Sequence, residues 1–424
     1  MTDRSWRVVA PLLALVVLLW AAPAASANSL ALSATYDVAA TLNYAKGTIV
    51  VDSTASIINP TGEAVSSLAF NLAPLRVGKL TLQLVEVDGA GVTPAIDDQT
   101  INVPLAKPLG GKGQVNVRIR YNATMATNAR DKNWLFAKLN GTVQAYRWIP
   151  WLSRAARFNR PNVGDPFVTS VSPHVRVRIA SERRLAFATS GEQTAATTRQ
   201  KTFVARDVRD FNFTARPSFK ILKGKAAGVS IIVYYDSLSG ATMMSAAKRS
   251  VETFTRLVGT YPYPTLRVVE SGGGHAMESP AMVWIPRRSG NVAWLVAHET
   301  AHQWFYAVVG NDQTTEPFAD EALVTLLTRE ATSRRIGTSC ATKPLDRTIY
   351  EYRGCYYGVI YVQGADYLAA YRRRVGDNQF WQGVRDYYEQ YRFGLGGTRQ
   401  LLDALDAAAG GAGGGHAKRF PRYY

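Results

Sequence analysis

The feature that most constrains this chain is a change of hydrophobic period near residue 219. Before it, apolar and polar residues alternate in short runs such as TLNYAKGTIVVDSTASII, KLTLQLVEVDG, GQVNVRIRYNA and PHVRVRIAS, with Gly, Pro, Asn and Asp clusters between them. A period of two puts one face of each run in a core and the other in water, which is a strand pattern. No amphipathic helix of convincing length interrupts it. Residues 28–219 are therefore expected to form a largely antiparallel β domain, a sandwich or saddle. Beyond it, the strand VSIIVYYD leads into a helical stretch, ATMMSAAKRSVETFTRLVG. YPYPTLRVVES, a glycine cluster at Gly272 to Gly274 and a strand PAMVWIP come next. From Asn291 helices dominate. WLVAHETAHQWFYAVVG is expected to end at Gly310, and EPFADEALVTLLTREATSRRIG to run from Pro317 to Gly337. YVQGADYLAAYRRRVGD and QFWQGVRDYYEQYRF are the next two. The fold class is α+β, with a mainly helical region over residues 220–408. A Gly-rich basic tail over residues 409–424 is expected to be disordered.

The apolar share of 47% and charged share of 19% belong to a folded chain, and 424 residues suffice for two or three domains. At the N-terminus Arg4 and Arg7 precede an apolar run from Val8 to Trp20, and Ala25-Ser26-Ala27 fits a small-x-small cleavage signal. Residues 1–27 read as a secretory signal, cleaved or retained as an anchor, so the protein is expected outside the cytoplasm, secreted or in the cell envelope. No later segment is long and apolar enough to span a bilayer. The net charge of +17 favours anionic envelope polymers or headgroups, or is a solvated surface. No basic run interleaved with aromatics points to nucleic acid. Cys340 and Cys355 either pair in an oxidising compartment or stand as two buried thiols.

The chain has five histidines, and two of them stand in His298-Glu299-Thr300-Ala301-His302. Residues four apart share a helix face, so both imidazoles can reach one metal ion, and the apolar flanks suit a buried helix. Glu299 lies one step round, facing a water rather than the metal. A catalytic zinc needs a third ligand and an open position. Glu321 is the candidate, with 18 residues between it and His302. The alternative is two core histidines and a surface glutamate.

The run His298 to Val324, HETAHQWFYAVVGNDQTTEPFADEALV, resembles the zinc core of the aminopeptidase N family of gluzincins. In that family the third ligand stands at this separation in a Leu-Asn/Asp-Glu-Gly-like segment, here Ala319-Asp320-Glu321-Ala322. Gly274-His275-Ala276-Met277-Glu278-Ser279 resembles the family's Gly-x-Met-Glu-Asn motif, with Ser279 in place of Asn. Tyr361-Val362-Gln363-Gly364 resembles its Tyr-x-Lys-Gly segment, with Gln363 in place of Lys. Tyr146-Arg147-Trp148-Ile149-Pro150 resembles an Arg-x-x-Pro junction of its β domain.

The resemblance implies a thermolysin-like catalytic domain, one Zn2+ per chain on His298, His302 and Glu321, and peptide or protein substrates. Glu299 would be the general base and Tyr361 the oxyanion donor, with Tyr350, Tyr352, Tyr356 and Tyr357 as rivals. Glu278 would hold the substrate amine, with Met277 and Ala276 beside it along the substrate strand. Asp320 would support a zinc histidine. The family's Gln and second acidic amine anchor fall near Asn140 and Thr142, so that anchor is missing or moved. The family's large C-terminal helical domain is absent from the chain as given. Aminopeptidase action is the leading expectation, an endopeptidase of the same fold is its rival, and a non-catalytic envelope-binding module is the alternative of another class.

Overall fold

A computed structural model of the chain describes residues 31–154, 165–411 and 414–424. Residues 1–27, read above as a secretory signal, thus lie outside the described residues.

The alternating runs pair into three sheets. The largest has eight strands and is centred on Ser33–Asn43 and Thr48–Ile58, whose inward residues (Val38, Leu42, Ile49, Val51, Ile57) are almost fully buried. Two four-stranded sheets complete this region. Apart from an isolated parallel bridge between Ala126 and Ala137, these strands among the described residues pair antiparallel except where Ser33–Asn43 meets Val175–Ser181 in parallel. The two strands are separated by more than a hundred residues, so the return path is a long crossover rather than a hairpin.

Lys220–Ala226 opens a different, mixed five-stranded sheet. Its order is Lys220–Ala226, Val229–Tyr235, Thr265–Ser271, Met282–Pro286, Met277–Ser279, with the last strand at the edge. Every residue of Thr265–Ser271 is buried, as expected for a strand covered on both faces. Helix Gly240–Leu257, capped by the Ser239 hydroxyl accepting from Thr242 N at 3.2 Å, packs beside the sheet and against helix Val292–Ala301. Among the described residues no helix is long and apolar enough to cross a membrane.

Several element ends differ from the expectation. The helix expected to reach Gly310 stops at Ala301. Past it the chain turns back, with Ala307 N donating to His302 O at 2.9 Å and Tyr306 at φ 122°. The buried Arg209 guanidinium takes the carbonyls of Ala307 (3.2 Å) and Val308 (3.0 Å), groups a continuing helix would have used. The helix expected over 317–337 begins as a wide π-type turn, Phe318–Ala322, continues as Leu323–Thr332, and ends at left-handed Ser333 rather than Gly337. The tail is a further correction. Residues 416–424 are ordered because they carry an aromatic cluster: Phe420 is fully buried against Phe318, with ring centroids 4.8 Å apart, and His416 is buried between Tyr367 and Asp406. Burying such rings outweighs the entropy of the preceding glycines.

A candidate metal centre in a carboxylate-lined cleft

His298 lies in helix Val292–Ala301, and His302 immediately follows it. The π-type turn at Phe318–Ala322 brings Glu321 across to them. Its Oε2 lies 3.2 Å from His298 Nε2 and 3.6 Å from His302 Nε2, and all three side chains are buried. The donor atoms fall within 4.8 Å of one another. Glu321 Oε2 satisfies no hydrogen bond, although it is sealed from solvent. A buried carboxylate oxygen left orphaned among two imidazole nitrogens is what a missing cation would explain. Two nitrogens and one carboxylate oxygen, with a fourth direction open to a cleft, fit zinc.

The imidazoles are held from behind. His302 Nδ1 bonds Asp320 Oδ1 at 2.8 Å and approaches Phe305 O at 3.1 Å, which turns Nε2 toward Glu321. His298 is sandwiched between the rings of Trp294 and Tyr361, 4.8 and 5.4 Å away, with Thr328 Oγ1 3.4 Å from its Nδ1. Burial would raise the Glu321 carboxyl, but the two imidazoles win and hold it below the usual range. Burial lowers His298, whereas at His302 the nearby Asp320 overrides burial and raises it.

Glu299 is 4% exposed, and its Oε2 has no hydrogen-bond partner. Burial, reinforced by Glu278 and Glu321, pushes its carboxyl well above the ordinary range. Glu278 sits on the edge strand Met277–Ser279, and burial pushes it up to about 7. Tyr361 OH donates to Glu321 Oε1 at 2.5 Å. These groups, with Ala276 and Met277, line one cleft of about 340 Å³. Of the rival tyrosines, Tyr356 and Tyr357 also line it, Tyr352 donates to Pro344 O at 3.0 Å, and Tyr350 is exposed.

Some residues of this centre carry no sequence signal. The Gln313 amide bridges two carboxylates, donating to Asp320 Oδ2 at 2.5 Å and to Glu278 Oε1 at 3.0 Å. Gln144 holds the glycine loop, accepting from Gly272 N at 2.8 Å. A Cβ on Gly274, at φ 95°, would collide with the Trp134 ring, so only glycine lets the loop pass there. Asn140 is spent on the same loop, donating to Gly272 O at 2.7 Å, and Thr142 is buried in a strand. Neither is an acidic anchor. Arg147 is buried at the join of the two regions, paired with Asp165 and, at 3.3 Å, with Asp210. Cys340 and Cys355 form a disulfide.

No family model and no curated protein matches the sequence. Solved structures do. An M1 zinc metallopeptidase from Deinococcus radiodurans superposes with a TM-score of 0.68 over 90% of this chain and 93% of its own, at 19% identity. The chain has the fold of the M1 zinc metallopeptidases. A mutant of the Deinococcus protein bound to a Tyr-Ser-Ala substrate covers 94% of this chain and 98% of its own, with a TM-score of 0.70 at 18% identity. A two-domain M1 zinc metallopeptidase mutant bound to L-arginine gives 0.68 over 91% and 96%, also at 18% identity. The M1 fold thus accounts for both regions of the chain together.

Proposed function

We propose that the protein is a zinc metallopeptidase that releases residues from the free N-terminus of peptides. The observation that carries this reading is the buried Glu299 side chain, its Oε2 without a hydrogen-bond partner, in the same cleft as His298, His302 and Glu321. A structural helix has no use for a buried acid without a partner, which would destabilise the fold.

His298, His302 and Glu321 would hold the zinc ion, which when bound polarises the scissile carbonyl and acidifies water. Glu299 takes the proton from the attacking water and passes it to the leaving amine. Its place in the cleft beside His298, His302 and Glu321 suits both halves of that transfer. The Tyr361 phenol turns from Glu321 to donate to the developing oxyanion. Glu278, on an edge strand, binds the substrate ammonium while the adjoining backbone at Ala276 and Met277 pairs with the peptide. Asp320 and Gln313 keep His302 and Glu278 in register. The helical region is read as thermolysin-like.

Asn140, bonded to the glycine loop, supplies no second carboxylate for the amine, which favours an endopeptidase as the second reading. Hydrolysis of matched free and N-acetylated peptides by the zinc-loaded protein and by Glu299→Ala separates the possibilities. The exopeptidase reading expects cleavage of the free peptide only, abolished in the variant. Equal cleavage of the blocked peptide would establish the endopeptidase. No zinc bound and no cleavage of either peptide would leave a binding module, whereas full activity in Glu299→Ala would remove Glu299 from the mechanism.

The N-terminal sequence supports export to the cell envelope or beyond, and the Cys340–Cys355 disulfide suits an oxidising compartment. The basic surface suits contact with anionic envelope polymers. Secretion would appear as a processed chain, beginning near Asn28, in the extracytoplasmic fraction.

A further inference from the structure

The cleft is walled by three carboxylates, from Glu278, Glu299 and Glu321, yet a lysine also faces it. Lys132 comes from the β region, in the short segment Arg130–Leu135. Asp131 and Lys132 both lie in the left-handed region there, at φ 49° and 68°. Such a conformation costs a non-glycine residue stability, so the fold holds this turn in place. Its anchor is Trp134, 4% exposed and edge-on to His275 with centroids 5.7 Å apart. Lys132 is half-buried and makes no hydrogen bond or ion pair among the described residues. Asp131 beside it is exposed and does not pair with it. Burial lowers the lysine's proton affinity, and its charge in turn adds to burial in lowering His275.

We propose that Lys132 selects an acidic first side chain, so that the preferred substrates are peptides beginning with Glu or Asp. This rests on the peptidase reading above. With the substrate ammonium on Glu278, a first-residue carboxylate is the charge that an unpaired lysine in the same cleft rewards. A basic first side chain would add a second cation next to it. A partly desolvated ion pair of this kind is worth about tenfold in binding.

The test uses full-length, zinc-loaded protein and aminoacyl coumarin amides of Glu, Gln, Ala and Arg, which have no C-terminal carboxylate. Glu is expected to exceed Gln by about tenfold in kcat/KM, chiefly through KM. Lys132→Met, which keeps the aliphatic stem, should erase that ratio while leaving Ala within threefold, and Lys132→Arg should restore it. A second readout needs no turnover: calorimetric binding of L-glutamate against L-glutamine to Glu299→Ala, with and without Lys132→Met. Glutamate that binds and reacts no better than glutamine, or a ratio unmoved by Lys132→Met, overturns the proposal. Failure to hydrolyse every substrate would instead sink the peptidase reading, and the binding measurement would still decide for or against Lys132.

Discussion

Replacing Asp320 by Asn tests how the centre controls the proton on His302. Asp320 Oδ1 accepts from His302 Nδ1 at 2.8 Å, and Oδ2 accepts from Gln313 Nε2 at 2.5 Å. An amide offers one acceptor and one donor in place of those two acceptors. If the new oxygen faces His302, the new NH2 meets the amide hydrogens of Gln313. Gln313 cannot turn over without losing its bond to Glu278 at 3.0 Å and the one its oxygen takes from Asp165 N at 3.1 Å. If the NH2 faces His302 instead, Nδ1 must accept and the proton moves to Nε2. That is the atom 3.6 Å from Glu321 Oε2, and once protonated it cannot ligate a metal. The first arrangement sets two buried donors against each other, and the second restores that clash when Nε2 gives up its proton to zinc, so metal binding loses about 1–3 kcal/mol either way. At about 1.4 kcal/mol per decade, zinc should bind roughly 10- to 100-fold more weakly. Competition against a chromogenic chelator measures the affinity, with circular dichroism confirming the fold. Wild-type affinity within about twofold would refute the reasoning, because the tautomer would then not depend on Asp320.

Tyr361→Phe should lower kcat by about 10²–10³ with KM little changed, as for loss of one oxyanion donor; an unchanged kcat in steady-state assays would remove the phenol from the mechanism. Replacing Cys340 and Cys355 by Ser opens a loop of sequence separation 15. Urea midpoints should then report a loss of about 3 kcal/mol, which reductant reproduces in the wild type but not in the variant. Burial pushes the Asp210 carboxyl up to about 6 against the pull of Arg147. Because this folded value lies above the unfolded one, the contribution to stability is present at low pH and lost as pH rises through 6. Relative to Asp210→Asn, the wild type should therefore lose roughly 2 kcal/mol between pH 4 and pH 7 in denaturant titrations. Parallel pH profiles for the two proteins would contradict this.

What could be read in the sequence is what local periodicity encodes. The alternation in Thr48–Ile58 shows which side chains face inward, and the structure buries alternate residues there. His298 and His302 share a helix face because of their spacing alone, and Glu321 lies close enough in sequence to be carried back to them by one turn. Periodicity does not say where an element ends when the partner that ends it is remote. The helix after His302 stops because Arg209, nearly a hundred residues earlier, claims the carbonyls of Ala307 and Val308. Nor does composition reveal that a Gly-rich tail will order, since Phe420 needs the pocket made by Phe318 and Tyr367. Gln313 and Lys132 were invisible for the same reason. A lone amide or lysine in a loop acquires chemistry only from the charges that folding sets around it.

By itself, then, the sequence determined the candidate metal-ligand types, their spacing and the switch from strand to helix, because these depend on neighbours within a few turns. The tertiary structure alone decided that Gln313 ties Asp320 to Glu278, that two cysteines pair, and that a lysine joins the carboxylates of the cleft. Each of those depends on contacts between distant segments, where burial strips away water and turns ordinary side chains into specific partners.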